Sequence, residues 1–132
     1  MAQGDKTTML RVVLVIFAVV SLVYGVVFLI VPGVWENMSG GDPFDYSWVR
    51  WAGGFLVALA VGAVIIARKI ENQGVFAFVL ALATLLGGLG TVYSMIAGEY
   101  SGYFDFIAVA AGLMLVMSGL LWWSLIRAKE GL

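Results

Sequence analysis

Few side chains in this sequence can do chemistry, and their types narrow what that chemistry could be. The chain has seven Lys and Arg, eight Asp and Glu, and neither His nor Cys. Disulfides, thiol nucleophiles, Cys/His zinc sites, imidazole haem ligation and His-based acid–base catalysis are excluded together. Carboxylates, guanidinium groups and hydroxyls remain. Asp42 and Asp45 share the segment PGVWENMSGGDPFDYS, which lacks the alternating oxygen ligands, glycine and closing glutamate of a calcium loop. Two acids in one short loop do not make a catalytic pair either. Arg50 stands just inside an apolar stretch, where its guanidinium can snorkel to headgroups or pair bidentately with Asp105, Asp45 or Glu36. An anionic headgroup or substrate is the alternative partner. Thr84, Thr91 and Ser94 share one helix side, and Ser21 and Tyr24 share another. Polar groups at bilayer depth can line a substrate path. The simpler reading is packing, with each hydroxyl bonded to its own helix or across a helix pair for about 0.6 kcal/mol. A proton or ion relay would need an ionisable group near the midplane, and the sequence places none there.

The elements that must position these groups follow from composition. Hydrophobic residues make up 63% of the chain and charged ones 11%, against roughly a quarter charged in soluble domains. Four apolar stretches, about 9–31, 48–67, 74–97 and 103–126, each reach the roughly 20 helical residues that a hydrocarbon core requires. The first ends at Pro32-Gly33, which cannot continue a helix cheaply. It is longer than a signal-peptide core and lacks a cleavage site, so it reads as a retained span. The links RKIENQ and GEYSG are short enough to demand antiparallel neighbours. The expected fold is all-α: a polytopic, up-down-up-down bundle of four transmembrane helices in one domain, 1–132, with the lipid bilayer as its solvent. Lys6, Arg11, Arg68, Lys69, Arg127 and Lys129 fall on one side and Arg50 alone on the other, which predicts an inner-membrane protein with both termini cytoplasmic. Glu36, Asp42, Asp45, Glu99 and Asp105 gather at the outer side. Trp48, Trp51, Tyr100, Tyr103 and Phe104 lie at the outer boundary and Trp122 and Trp123 at the inner one, as in aromatic belts.

Helices associate in lipid by close backbone approach, which small residues permit. Gly54, Ala58 and Gly62 form one small ridge on the second span, and Gly53, Ala60, Ala63 and Ala67 another. Two such faces predict a centrally packed helix. The third span sorts Phe78, Leu82, Leu85, Leu86, Leu89, Val92, Tyr93 and Ile96 to a side facing lipid or a partner chain, opposite Ala83, Thr84, Gly87, Gly90, Thr91 and Ser94. On the fourth, Asp105, Ala108, Gly112 and Gly119 share a stripe; on the first, Phe17, Ser21, Tyr24 and Phe28 lie beside Ala18 and Gly25. These are the expected inward faces. FDYSWVRWAGGFL (44–56) and FDFIAVAAGLM (104–114) also match loosely, as do the tracts that set Gly25 over Gly90, so the two halves read as a possible duplication.

The layout of a first span ending in Pro32-Gly33, a short outer loop, a second span opening with Arg50 and small residues, and a short basic inner loop resembles small prokaryotic four-helix membrane proteins of unknown function, including those loosely called DoxX-like. The resemblance implies an inner-membrane location and no particular activity. The expected function is that of a non-enzymatic interaction or accessory subunit, in a homo-oligomer or with other membrane subunits, with no cofactor, metal or nucleic-acid partner. The alternative is a small transporter or lipophilic-ligand binder using the bundle interior and the outer acidic–aromatic mouth. A cavity lined by Tyr24, Thr84 and Thr91 and open to the outside is the feature that would favour the alternative.

Overall fold

A computed structural model describes residues 3–39, 46–99, 102 and 104–128. Five helices occupy nearly all of them: α1 (Gln3–Ile30), α2 (Pro32–Ser39), α3 (Tyr46–Arg68), α4 (Gly74–Ile96) and α5 (Phe104–Ala128). No strand occurs among the described residues. Four of the helices carry apolar segments of 20 to 25 residues, at 1.5 Å rise enough to cross a hydrocarbon core of about 30 Å. Large apolar side chains cover their outer surfaces, among them Val19, Val61, Leu86 and Val116. These features mark a multi-pass membrane protein, because such a surface is stable in lipid and not in water.

The helices pack in two pairs joined along a third contact. α1 lies along α3, α4 along α5, and α1 also packs against α5. In the first pair Leu29 meets Arg50, Gly25 meets Gly53, and Ser21 meets Leu56; this is the register of antiparallel helices. In the second, Gly88 meets Leu115, Ala81 meets Ser118 and Phe78 meets Trp122, again antiparallel. The α1–α3 seam is set by two glycines. A Cβ on Gly53 would lie 2.8 Å from the Gly25 carbonyl oxygen and 2.9 Å from the Leu29 nitrogen, so only hydrogen fits between the backbones.

One half of the molecule is solid. Leu10, Leu14, Ala63, Ile66, Ile70, Ala81, Met117 and Leu121 form a continuous buried core near the start of α1 and the end of α5. The turn between α3 and α4 closes this end, with Ile70 turned into the core and Asn72 at φ 59°, a left-handed conformation that asparagine tolerates. At the opposite end α4 stops in a Schellman motif: Gly98, at φ 72°, donates to the Met95 carbonyl, and the Glu99 N–H to that of Ser94.

Three sequence expectations change. Residues 32–47 read as a non-helical loop, yet Pro32–Ser39 is helical. Pro32 does end α1, and it then starts α2, since proline suits the first helical position, where its missing N–H is not needed. The second span, α3, is not central: it packs extensively on α1, touches α2 lightly and barely touches α4. On the fourth span the buried residues are Ile107, Ala110, Ala111, Met117, Ser118, Leu121, Ser124 and Ala128, whereas of the predicted stripe Asp105, Gly112 and Gly119 are exposed and Ala108 is half-buried. Alanine and serine at near-heptad spacing give α5 a smooth seam.

Candidate functional site

Above the solid core the helices separate around a cavity of about 400 Å³. α1 contributes Phe17, Val20, Ser21, Tyr24 and Phe28; α3 contributes Val49, Ala52, Leu56 and Leu59. α4 supplies Ala83, Thr84, Gly87 and Thr91, and α5 supplies Ala110, Leu113, Met114 and Met117. α4 leaves room because alanine and glycine, Ala83 and Gly87, line its side of the cavity. Among the described residues no charged side chain lines it. A volume of this size is in the roughly 300–1,000 Å³ range of small-molecule pockets.

An aromatic cluster from three helices forms the roof. Trp35 of α2 has its ring centroid 4.8 Å from Phe28, 6.1 Å from Tyr24 and 5.3 Å from Phe106 of α5. Tyr24 and Phe28 are themselves edge-on at 6.2 Å. Edge and tilted ring pairs of this kind contribute about 0.5–1.5 kcal/mol each beyond their burial. The Gly102 N–H adds a bond to the Ser39 carbonyl at 3.0 Å, tying the end of α2 to the α4–α5 connection.

The hydroxyls of the wall are mostly committed to backbone. Ser21 donates to the Leu56 carbonyl across the α1–α3 seam at 2.7 Å. Thr84 donates within its own helix to the Leu80 and Ala81 carbonyls, at 2.8 and 3.0 Å, and Thr91 to that of Gly87 at 2.9 Å. Tyr24 differs: its hydroxyl makes no hydrogen bond among the described residues. Among the described residues the wall is thus mainly hydrocarbon, with the Tyr24 phenol and, at the roof, the Trp35 indole N–H as available donors.

The sequence-predicted site residues divide sharply. Tyr24, Thr84 and Thr91 come together in the cavity wall, joined by Gly87. Arg50 points elsewhere: its Nε donates to the Leu29 carbonyl at 3.3 Å, covering one of the unpaired acceptors at the end of α1. Among the described residues neither Glu36 nor Asp105 forms an ion pair with it. Asp105 is exposed in the first turn of α5, where a carboxylate suits the helix dipole, and Glu99 is exposed beyond α4. Asp42, Asp45, Tyr100 and Tyr103 lie outside the described residues, as does the side chain of Trp48. Among the described residues nothing from another part of the chain comes within 4 Å of a Cβ built on Gly54, Gly62, Gly112 or Gly119, and Ala58 is exposed. Within this chain the close approaches are at Gly25, Gly53 and Gly88 instead.

Trp35 was not singled out from sequence, although Pro32 followed by Val34, Trp35 and Met38 carries the signal of a short interfacial helix. Met114 and Met117, flexible side chains suited to an adaptable wall, had no sequence signal beyond their spacing. No family model, curated protein or solved structure matches this chain.

Proposed function

We propose that this protein is a non-enzymatic membrane protein that holds a lipophilic ligand in the cavity beneath α2. The observation that carries this reading is the wall itself, which among the described residues is mainly hydrocarbon, bears no charge, and offers donors at the Tyr24 phenol and the Trp35 indole. A polar solute would have to surrender its hydration to such a wall, at several kcal/mol per unmatched group. A hydrocarbon ligand gives up little, and one bearing an ester or carbonyl near the roof would accept from Tyr24. The solid core below the cavity argues for binding over conduction.

The arrangement in the membrane is part of the proposal. Lys6, Arg11, Arg68, Lys69 and Arg127 lie at the core end of their helices, and Glu36, Glu99, Asp105 and Arg50 at the α2 end. An up-down-up-down bundle with both termini in the cytoplasm and the cavity facing outward satisfies the positive-inside rule. A prokaryotic inner membrane is the setting this implies.

The test is native mass spectrometry of the chain released from mild detergent. The expected result is a retained lipophile of defined mass, lost when Ala52→Phe fills the cavity. Tyr24→Phe should weaken retention of an acceptor-bearing ligand about 2- to 10-fold, the equivalent of one net hydrogen bond of roughly 0.5–1.5 kcal/mol. A bare chain that added lipophiles neither bind nor stabilise would refute the reading.

A second role is compatible with the first. Gly54, Ala58 and Gly62 form an outward ridge on α3 with no intrachain partner at either glycine, the kind of surface on which another membrane helix can pack. An accessory subunit or homo-oligomer using this ridge would appear in the same spectra as a multimer that Gly54→Leu with Gly62→Leu dissociates.

A further inference from the structure

We infer that the cavity opens sideways into the bilayer, between α3 and α4, and takes up one hydrocarbon chain of a membrane lipid while the headgroup stays at the interface on the α2 side. This rests on the reading of the cavity as a lipophile site and adds the ligand class and its route. The four long helices surround the cavity in the order α3, α1, α5, α4. Three sides are closed by packed pairs: α1 with α3, α1 with α5, and α4 with α5. On the fourth side α3 and α4 barely touch, although only residues 69–73 separate them in the chain. Leu56 and Leu59 on α3 and Ala83 and Gly87 on α4 nevertheless line the same cavity, so the space between these two helices belongs to it. What lies outside that gap is lipid.

Described side chains fill the space at both ends of the cavity. Leu14 and Leu121 are fully buried in the core below, and Trp35 bridges Phe28 to Phe106 above. Volume sets the size of the occupant. The cavity, about 400 Å³, holds about a dozen groups of roughly 30 Å³, a water molecule's share of the liquid; this suits one acyl-type chain and not a two-chain lipid. Chemistry agrees, because Ser21, Thr84 and Thr91 spend their protons on backbone carbonyls and offer a passing chain mainly carbon.

The test uses the full chain in vesicles of a phosphatidylcholine bearing a diazirine midway along one acyl chain. After photolysis the adducts are mapped by mass spectrometry, and the lipophile content of the same preparation is read by native mass spectrometry. The expected result is labelling of Leu59, Met114 or Met117 in addition to outward residues such as Leu86, with the cavity adducts lost in Ala52→Phe and the Leu86 adduct kept. Adducts confined to outward residues beside a retained lipophile would overturn the lateral route and leave the ligand reading standing. Outward adducts with no retained lipophile would overturn both.

Discussion

At Gly53 a single carbon decides whether α1 and α3 can touch. Its would-be Cβ meets backbone at 2.8 and 2.9 Å, whereas its neighbour Gly54 has nothing of the chain within 4 Å. Backbone cannot rotate away as a side-chain tip can, so Gly53→Ala should separate the pair and destabilise the fold by about 1–3 kcal/mol, the usual range for overpacking. Gly54→Ala should stay within about 0.5 kcal/mol. Unfolding of the two variants in mixed micelles with a denaturing detergent checks the contrast; equal behaviour would mean that the seam is looser than its geometry. The same pair shows what sequence can and cannot tell in a membrane protein. Helical period put Gly53 and Gly54 on different small ridges, and put Thr84 and Thr91 on one face, because spacing is local. It could not say which ridge is covered. Lipid satisfies an exposed glycine face as readily as a helix does, so no hydrophobic pattern distinguishes them. Arg50 illustrates the matching failure for charge: any carboxylate can be its partner on paper, and among the described residues its Nε donates to the Leu29 carbonyl at the end of a neighbouring helix.

Among the elements, the four long helices were legible in composition and α2 was not. Apolar runs of bilayer length have few alternatives. An eight-residue helix with one Trp and one Glu is too short to show a period, and its helicity depends on tertiary contacts. Those contacts centre on Trp35, against Tyr24, Phe28 and Phe106. Trp35→Ala should therefore undock α2 without unfolding the long helices. Amide exchange across residues 34–39 should accelerate by at least about fivefold, as losing two to three ring contacts of about 0.5–1.5 kcal/mol implies, while the Leu10–Leu14 region stays protected. Unchanged exchange in α2 would show that the Gly102–Ser39 bond suffices to hold it. The suggested duplication is visible at this scale in part. Gly53 and Ala111 are both buried, and Gly54 and Gly112 both lie on the outside. The aligned Gly25 and Gly90 diverge, one clamped against Val57 and Gly53 and the other in open space, so the two pairs do not share one packing solution.

The whole molecule is asymmetric along its length, solid at the end that carries most of its basic residues and hollow at the other. Packing in lipid depends on dispersion contacts and not on removal of apolar surface from water. The solid half therefore supplies the cohesion that the hollow half forgoes, and the cavity is tolerable because it is confined to one end. Two alanines on α4 separate the regimes. Ala81 is fully buried, with its carbonyl accepting from Ser118 at 3.1 Å; Ala83 faces the cavity. Ala81→Leu must force α4 from α5 and should destabilise by about 1–3 kcal/mol. Ala83→Leu adds carbon where there is space, and cavity filling of this kind typically stabilises by about 0.5–2 kcal/mol. The stabilised variant should at the same time hold less ligand, so the two measurements move in opposite directions for one substitution. If Ala83→Leu destabilised the protein in ligand-free detergent, the hollow half would have to be narrower than its 400 Å³, and a chain-sized occupant would no longer fit.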